Sequence, residues 1–305
     1  MASGGPVKVF LDYTQEELDR AYDQFRWADN AAAVIRRYAQ DSARVRKATP
    51  PRTEAYGKSS AEILDVFAPP AARNAPVFVF FHGGAWRTLS KDDASAAAGP
   101  FVENGCIYVA VNFSNIPEVR LPAMVEQCRS AVLWLVRNLE RFGGNPGEMT
   151  LGGHSSGAHL CSVVLATDWS RYQQPFGFLK GGVLLSGMYD LHPVVLSSRR
   201  EYLELNGAEV AALSPARFPS ATPCPVLVAW CEAESPEFER QSREYAIALE
   251  RQGRLHGQVV LETMNHFEIV EQLYSDRTPL MQRILGLMLG GHVGRTCGRP
   301  GEVQG

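Results

Sequence analysis

Residues 150–160, reading TLGGHSSGAHL, contain one serine set up to act as a nucleophile. Gly153-His154-Ser155-Ser156-Gly157 fits G-x-S-x-G, a bend where a strand passes abruptly into a helix and leaves a serine hydroxyl standing at the turn. The glycines two before and two after Ser155 allow a strained backbone there and close contact with neighbouring strands. Ser156 is not so flanked. An ordinary Gly- and Ser-rich loop is the competing reading. Its surroundings favour the nucleophile: 148–151 reads as a short strand going in, and 158–166 (AHLCSVVLA) as a buried helix coming out.

A serine hydroxyl is a poor nucleophile until a base takes its proton and a third group orients that base. His266, in TMNHF (263–267), lies where a late strand ends and a helix begins. His256 precedes its strand, which puts it at the opposite edge of a parallel sheet, whereas catalytic groups gather at the carboxyl ends of strands. A lone histidine is usually a surface or satisfied core residue, but behind a nucleophile turn His266 is the expected base. His154 reads as a turn filler. For the acid, CEAESPE (231–237) offers Glu232, Glu234 and Glu237, with Asp190 one strand earlier. Glu237 sits at a helix start, where the dipole favours negative charge in any case. Spacing alone separates neither Glu232 nor Glu234. His82-Gly83-Gly84 follows a central apolar strand, so the N–H groups of Gly83 and Gly84, with that of Ser156, are placed to hold an oxyanion.

These groups need a frame. Thr14-Gln15-Glu16-Glu17 has capping-box spacing and predicts a helix over 14–27. Val34, Ile35 and Tyr38 recur at helical spacing and predict another over 31–45. The alternating run 63–67 predicts an early antiparallel strand. The apolar runs 77–81, 107–111, 183–186, 226–230 and 258–262 read as strands, and 122–141, 237–252 and 266–289 as helices, with a polar insertion at 189–217. Strands alternating with helices imply a mostly parallel sheet covered on both faces. The expected organisation is a single α/β domain over 1–289, with 13–48 a helical addition that either covers the mouth of a site or docks outside. The Gly-rich tail 290–305 reads as disordered.

At 305 residues, 45% hydrophobic and 21% charged, the composition is that of a soluble globular chain. A net charge of −3 with scattered Lys and Arg argues against nucleic-acid binding. The start, MASGGPVKVF, lacks the order of a signal peptide, and no apolar run reaches membrane-span length. A cytoplasmic location follows. The six cysteines form no C-x-x-C pair and read as buried thiols. With no H-x-x-x-H or comparable cluster, neither a metal nor a cofactor is expected. The expected partner is a small-molecule substrate; a homodimer is allowed.

The chain resembles the serine-dependent kynurenine formamidases (arylformamidases) and their bacterial relatives in the α/β-hydrolase esterase and lipase group. The similarity rests on FFHGGAWRTLSKDD (80–93), PEVRLPAMVEQ (117–127), GGHSSGAHL (152–160), LSGMYDL (185–191), LSP (213–215), ESPEFERQS (234–242) and NHFEIVEQL (265–273). It implies an α/β-hydrolase fold and hydrolysis of an aryl formamide through an acyl-enzyme. It also places the acid immediately before the small residue and proline, on Glu234. Two departures stand near the expected substrate. The loop after the glycines is usually Tyr-Trp and here is Ala85-Trp86, and 112–117 (NFSNIP) replaces a tyrosine-containing run. Both bear on specificity for formylkynurenine, and Ala85 in place of the tyrosine points to a broader substrate range, with Ala85, Trp86, Phe113 and Tyr189 as candidate contacts. A short-chain or aryl carboxylesterase or amidase is the alternative within the class. A non-catalytic binding module is the alternative outside it, and would be expected to have lost a catalytic residue.

Overall fold

The computed structural model describes residues 6–175 and 177–290. One sheet organises them, built from β1 (Arg52–Ala55), β2 (Ile63–Phe67), β3 (Ala75–Phe81), β4 (Ile107–Val111), β5 (Gly144–His154), β6 (Leu179–Leu185), β7 (Val226–Cys231) and β8 (Leu255–Leu261). The spatial order is β1-β2-β4-β3-β5-β6-β7-β8. β1, β2 and β4 pair antiparallel, and every other pairing is parallel. The helices are α1 (Gln15–Ala21), α2 (Ala31–Ala48), α3 (Ala98–Glu103), α4 (Leu121–Asn138), α5 (Ser156–Leu165), α6 (Leu191–Leu196), α7 (Arg200–Leu203), α8 (Gly207–Ala212), α9 (Pro236–Arg251) and α10 (Pro279–Leu289). This is the mostly parallel sheet covered on both faces that the alternation of elements predicts, in the α/β-hydrolase arrangement that the family resemblance implies.

The two-residue pleat explains how a continuously apolar strand serves two cores. Val77, Val79 and Phe81 of β3, with Ile107, Val109 and Val111 of β4, face one side, against α4, α5 and α9. Phe78 and Phe80, with Tyr108 and Ala110, face the other, against α2, α3 and α10. Cys106, Cys128, Cys161, Cys224 and Cys231 are buried free thiols. No helix among the described residues is long and apolar enough to cross a membrane.

Several expectations need correction. The helix expected over 14–27 stops at Ala21; Asp23 then caps a short turn over Gln24–Arg26 by accepting from the Phe25 N–H. The helix expected over 266–289 is broken. A 3-10 stretch, Glu268–Tyr274, comes first, and α10 begins at Pro279, whose missing N–H suits a first helical position. β1 and α3 were not anticipated, the former because its RTEA sequence is polar and it occupies a sheet edge. His256 does not precede its strand but lies inside β8, near the amino end, still opposite the nucleophile turn. Residues 291–305, most of the tail expected to be disordered, lie outside the described residues, as does Cys297.

Candidate active site

The nucleophile turn is built at the carboxyl end of β5. Ser155 has φ 55° and ψ −122°, a strained conformation outside the usual regions for a residue with a Cβ. Its N–H donates to the Leu185 carbonyl at 2.8 Å, which fixes the bend to β6. The flanking glycines are required sterically. A Cβ on Gly153 would lie 2.2 Å from the Gly157 carbonyl oxygen, and one on Gly157 would lie 2.1 Å from that of Phe81.

Three side chains from three strand ends then meet. His266 Nε2 lies 2.9 Å from Ser155 Oγ, and His266 Nδ1 lies 2.8 Å from Glu234 Oε2. The second carboxylate oxygen of Glu234 accepts from Ser186 Oγ and from the Cys231 N–H, both at 2.6 Å. All three members of this relay are buried. Burial pushes the Glu234 carboxyl up, while the Cys231 N–H and the Ser186 hydroxyl favour its charged form. Burial, followed by the nearby Arg199 charge, holds the His266 imidazole well below its ordinary value, so it rests neutral with Nε2 ready to accept a proton.

The other carboxylates stand elsewhere. Glu232 is exposed and accepts weakly from the Thr263 N–H at 3.4 Å. Glu237 pairs with Arg240 and accepts from Tyr22 Oη at 2.8 Å. Asp190 caps α6 and approaches Arg217. His154 does more than fill a turn: its Nε2 donates to the His266 carbonyl at 2.8 Å and so ties the nucleophile turn to the histidine loop. Burial holds it neutral, with its pKa lowered to about 3.

Gly83 and Gly84 arch beside this turn. Gly84 has φ 108°, and a Cβ there would meet the Thr88 carbonyl oxygen at 2.0 Å, so only glycine fits. Among the described residues the N–H groups of Gly83, Gly84 and Ser156 reach no acceptor. Ser156 contributes a second contact, because its Oγ accepts from the Trp86 N–H at 3.2 Å and holds the glycine loop in place.

A cleft of about 700 Å³ opens onto Ser155 and His266. Ala85 lines it; Trp86, Phe113 and Tyr189 do not. Trp86 is buried edge-on to His159, Phe113 stacks on His82 with ring centroids 4.3 Å apart, and Tyr189 stacks on Tyr245 at 4.4 Å. These three large side chains belong to the core. The aromatic lining comes instead from Tyr22, Phe25, Tyr38, Tyr202 and Phe267.

Three of those five belong to the N-terminal segment, which therefore covers the site rather than docking outside. That segment also grips both loops that carry the relay. Gln24 Nε2 donates to Ser235 Oγ at 2.8 Å, next to Glu234, and Ser235 Oγ donates to the Ala21 carbonyl at 2.5 Å. Tyr38 Oη donates to the Phe267 carbonyl, and Asn265 Nδ2 donates to Asn30 Oδ1 at 2.9 Å, on either side of His266. Sequence reasoning missed Ser186, Gln24, Asn30 and Tyr38 as site residues. Only Ser186 left a local signal, a polar residue just past an apolar strand.

A family model described as BD-FAE matches residues 64–174. The kynurenine formamidase of Danio rerio is 35% identical over 291 residues, covering 91% of this chain and 97% of that protein. A crystal structure from Silicibacter sp. TM1040 superposes with a TM-score of 0.76 at 25% identity, covering 88% of this chain and 98% of that one. An esterase from Pyrobaculum calidifontis gives a TM-score of 0.67 at 20% identity, covering 85% and 93%.

Proposed function

The chain belongs to the kynurenine formamidase family of α/β-hydrolases, and on that premise we propose that it is a serine hydrolase cleaving an aryl formamide such as N-formylkynurenine. The continuous hydrogen-bond relay from Ser155 Oγ through His266 to Glu234 carries this reading. In the proposed mechanism Ser155 Oγ attacks the formyl carbon while His266 Nε2 takes the hydroxyl proton. Glu234 stays ionised and stabilises the imidazolium. The N–H groups of Gly83, Gly84 and Ser156 receive the developing oxyanion; one such donor is typically worth about 3 kcal/mol in the transition state. The tetrahedral adduct collapses with cleavage of the C–N bond. His266 gives its proton to the departing aryl amine, and a formyl ester remains on Ser155. Water then attacks that ester, His266 takes and returns the proton, and formate leaves with Ser155 restored.

Ala85 favours a second reading of the same site. Where the related sequences usually carry a tyrosine ring, the cleft wall here ends in a methyl group, which leaves room for bulkier acyl groups and for aryl esters. The cytoplasm is the compartment proposed, with a small molecule as ligand; a homodimer is compatible with this reading.

Fluorophosphonate labelling, followed by turnover of N-formylkynurenine, p-nitrophenyl acetate and a panel of neutral amides, tests the proposal. Labelling of Ser155 with kcat/KM highest for the formamide is expected. Labelling with turnover of the ester alone would leave the esterase reading, and absence of labelling would remove both.

A further inference from the structure

Arg199 stands in the cleft wall with its charge unneutralised. Its Nε and Nη2 donate to the Tyr22 carbonyl at 3.1 and 2.6 Å, while Nη1 is enclosed without an acceptor. The guanidinium sits 5.7 Å from the ring of Trp86. No carboxylate among the described residues lies within ion-pair distance of it. A part-buried guanidinium that meets only a neutral carbonyl is costly, and such a group in a cleft calls for an explanation in function. Burial beside the relay also makes its effect felt, since it lowers the proton affinity of His266.

The rest of the lining strengthens the point. Arg87, exposed and stacked 4.8 Å over Tyr202, brings a second cation to the same cleft. Asp23 is the one acidic side chain among the described lining residues, and Arg26 holds it at 3.3 Å. Glu234 lies behind His266, away from the cleft. The approach to Ser155 is thus cationic, in a chain whose net charge is −3. The remaining wall is largely apolar and aromatic, suited to a flat ring.

We infer that Arg199, assisted by Arg87, is the specificity-determining residue for substrates whose leaving group carries a carboxylate beside its aromatic ring. This deepens the proposed function and rests on it: N-formylkynurenine is an aryl formamide whose amino-acid side chain ends in a carboxylate, whereas simple aryl esters and formanilide have none. Arginine is suited to the role because its guanidinium keeps full charge at every working pH, so it attracts a carboxylate in the cleft through its charge while Nε and Nη2 remain on the Tyr22 carbonyl. The aromatic rings order the substrate, and the charge orients it so that the formyl carbon faces Ser155.

The test is the ratio of kcat/KM for a carboxylate substrate to that for its carboxamide twin. Two pairs are used: N-formylkynurenine against its α-carboxamide, and 3-acetoxybenzoate against 3-acetoxybenzamide. In the wild type the ratio should exceed about ten in at least one pair and shrink as salt is added. Arg199→Gln should collapse it to near one, Arg199→Lys should retain part of it, and Arg87→Gln should lower it severalfold. A wild-type ratio near one in both pairs overturns the inference. So does an Arg199→Gln variant that loses activity equally on both members, which would make Arg199 a brace for Tyr22 alone. Failure of the formamidase reading looks different: neither formamide is turned over, while the ester pair still reports on the carboxylate.

Discussion

The two halves of the cleft are built in different ways. The lower half, holding Ser155, His266, Glu234 and the Gly83-Gly84 loop, consists of short turns at the carboxyl ends of β3, β5, β7 and β8, each held by the strand that precedes it. The upper half is assembled from segments remote in sequence: the turn after α1, the helix α2 and the stretch around Arg199. These are held by side-chain contacts such as Gln24 to Ser235, Tyr38 to Phe267, the two bonds of Arg199 to the Tyr22 carbonyl and the two-bond pair of Arg37 with Glu271. Rigid strand ends suit groups that must meet within a few tenths of an ångström. A bonded cover can vary while that geometry stays fixed. Chemistry should therefore reside below and selectivity above.

The sharpest division comes from Ser155→Ala, which should lower kcat by about 10⁶ and end probe labelling, with the circular dichroism spectrum unchanged. Ser156→Ala keeps its N–H but deprives the Trp86 N–H of its acceptor, so it should lose only about 1 kcal/mol. Equal losses in the two would mean that the nucleophile has been misplaced.

Glu234→Gln should lower kcat by about 10⁴ with KM nearly unmoved, because a neutral amide cannot stabilise the imidazolium. Glu232→Gln, exposed and weakly bonded, should be mild, and a reversal of the two would transfer the acid to Glu232.

Next in size is Ala85→Tyr, at the seam between the halves. It should shift the ratio of kcat/KM for N-formylkynurenine to that for a matched aryl ester by about 1–3 kcal/mol, leaving ester turnover slower rather than abolished. An unchanged ratio would detach position 85 from selectivity.

Gln24→Ala and Tyr38→Phe probe whether the cover also positions the chemistry. Each removes one hydrogen bond to a loop carrying the relay, so kcat should fall by about 1 kcal/mol, roughly fivefold, with KM unmoved. A fall in Tm with full kcat in the folded enzyme would reduce both residues to structural ties.

The smallest effect is on pH. Burial holds the His266 imidazole down and the Glu234 carboxyl up, so the bonded pair titrates as one unit, and kcat/KM should fall on the acid side where that pair takes up its proton. Arg199→Gln removes one cause of the depression and should move the acid limb to higher pH; an unmoved limb would show that burial alone sets it.

The sequence by itself determined the lower half. G-x-S-x-G, His-Gly-Gly and a histidine after the last strand are local patterns, because each reflects what one turn at one strand end demands of its backbone. Strand–helix alternation was legible for the same reason: it is written in periodicities of two and of 3.6 residues. The acid was less legible. Glu232 and Glu234 share one turn, and only the path of the chain past Cys231 sends Glu234 inward to the Ser186 hydroxyl and the His266 imidazole. The tertiary structure alone decided the cover. Nothing local distinguishes Trp86, Phe113 and Tyr189, which pack in the core, from Phe25 and Tyr38, which line the cleft, since all are aromatic residues in apolar surroundings. Which ring meets solvent in the cleft depends on where residues 13–48 dock, and that docking is fixed by partners more than 200 residues away, Ser235 and Phe267 among them.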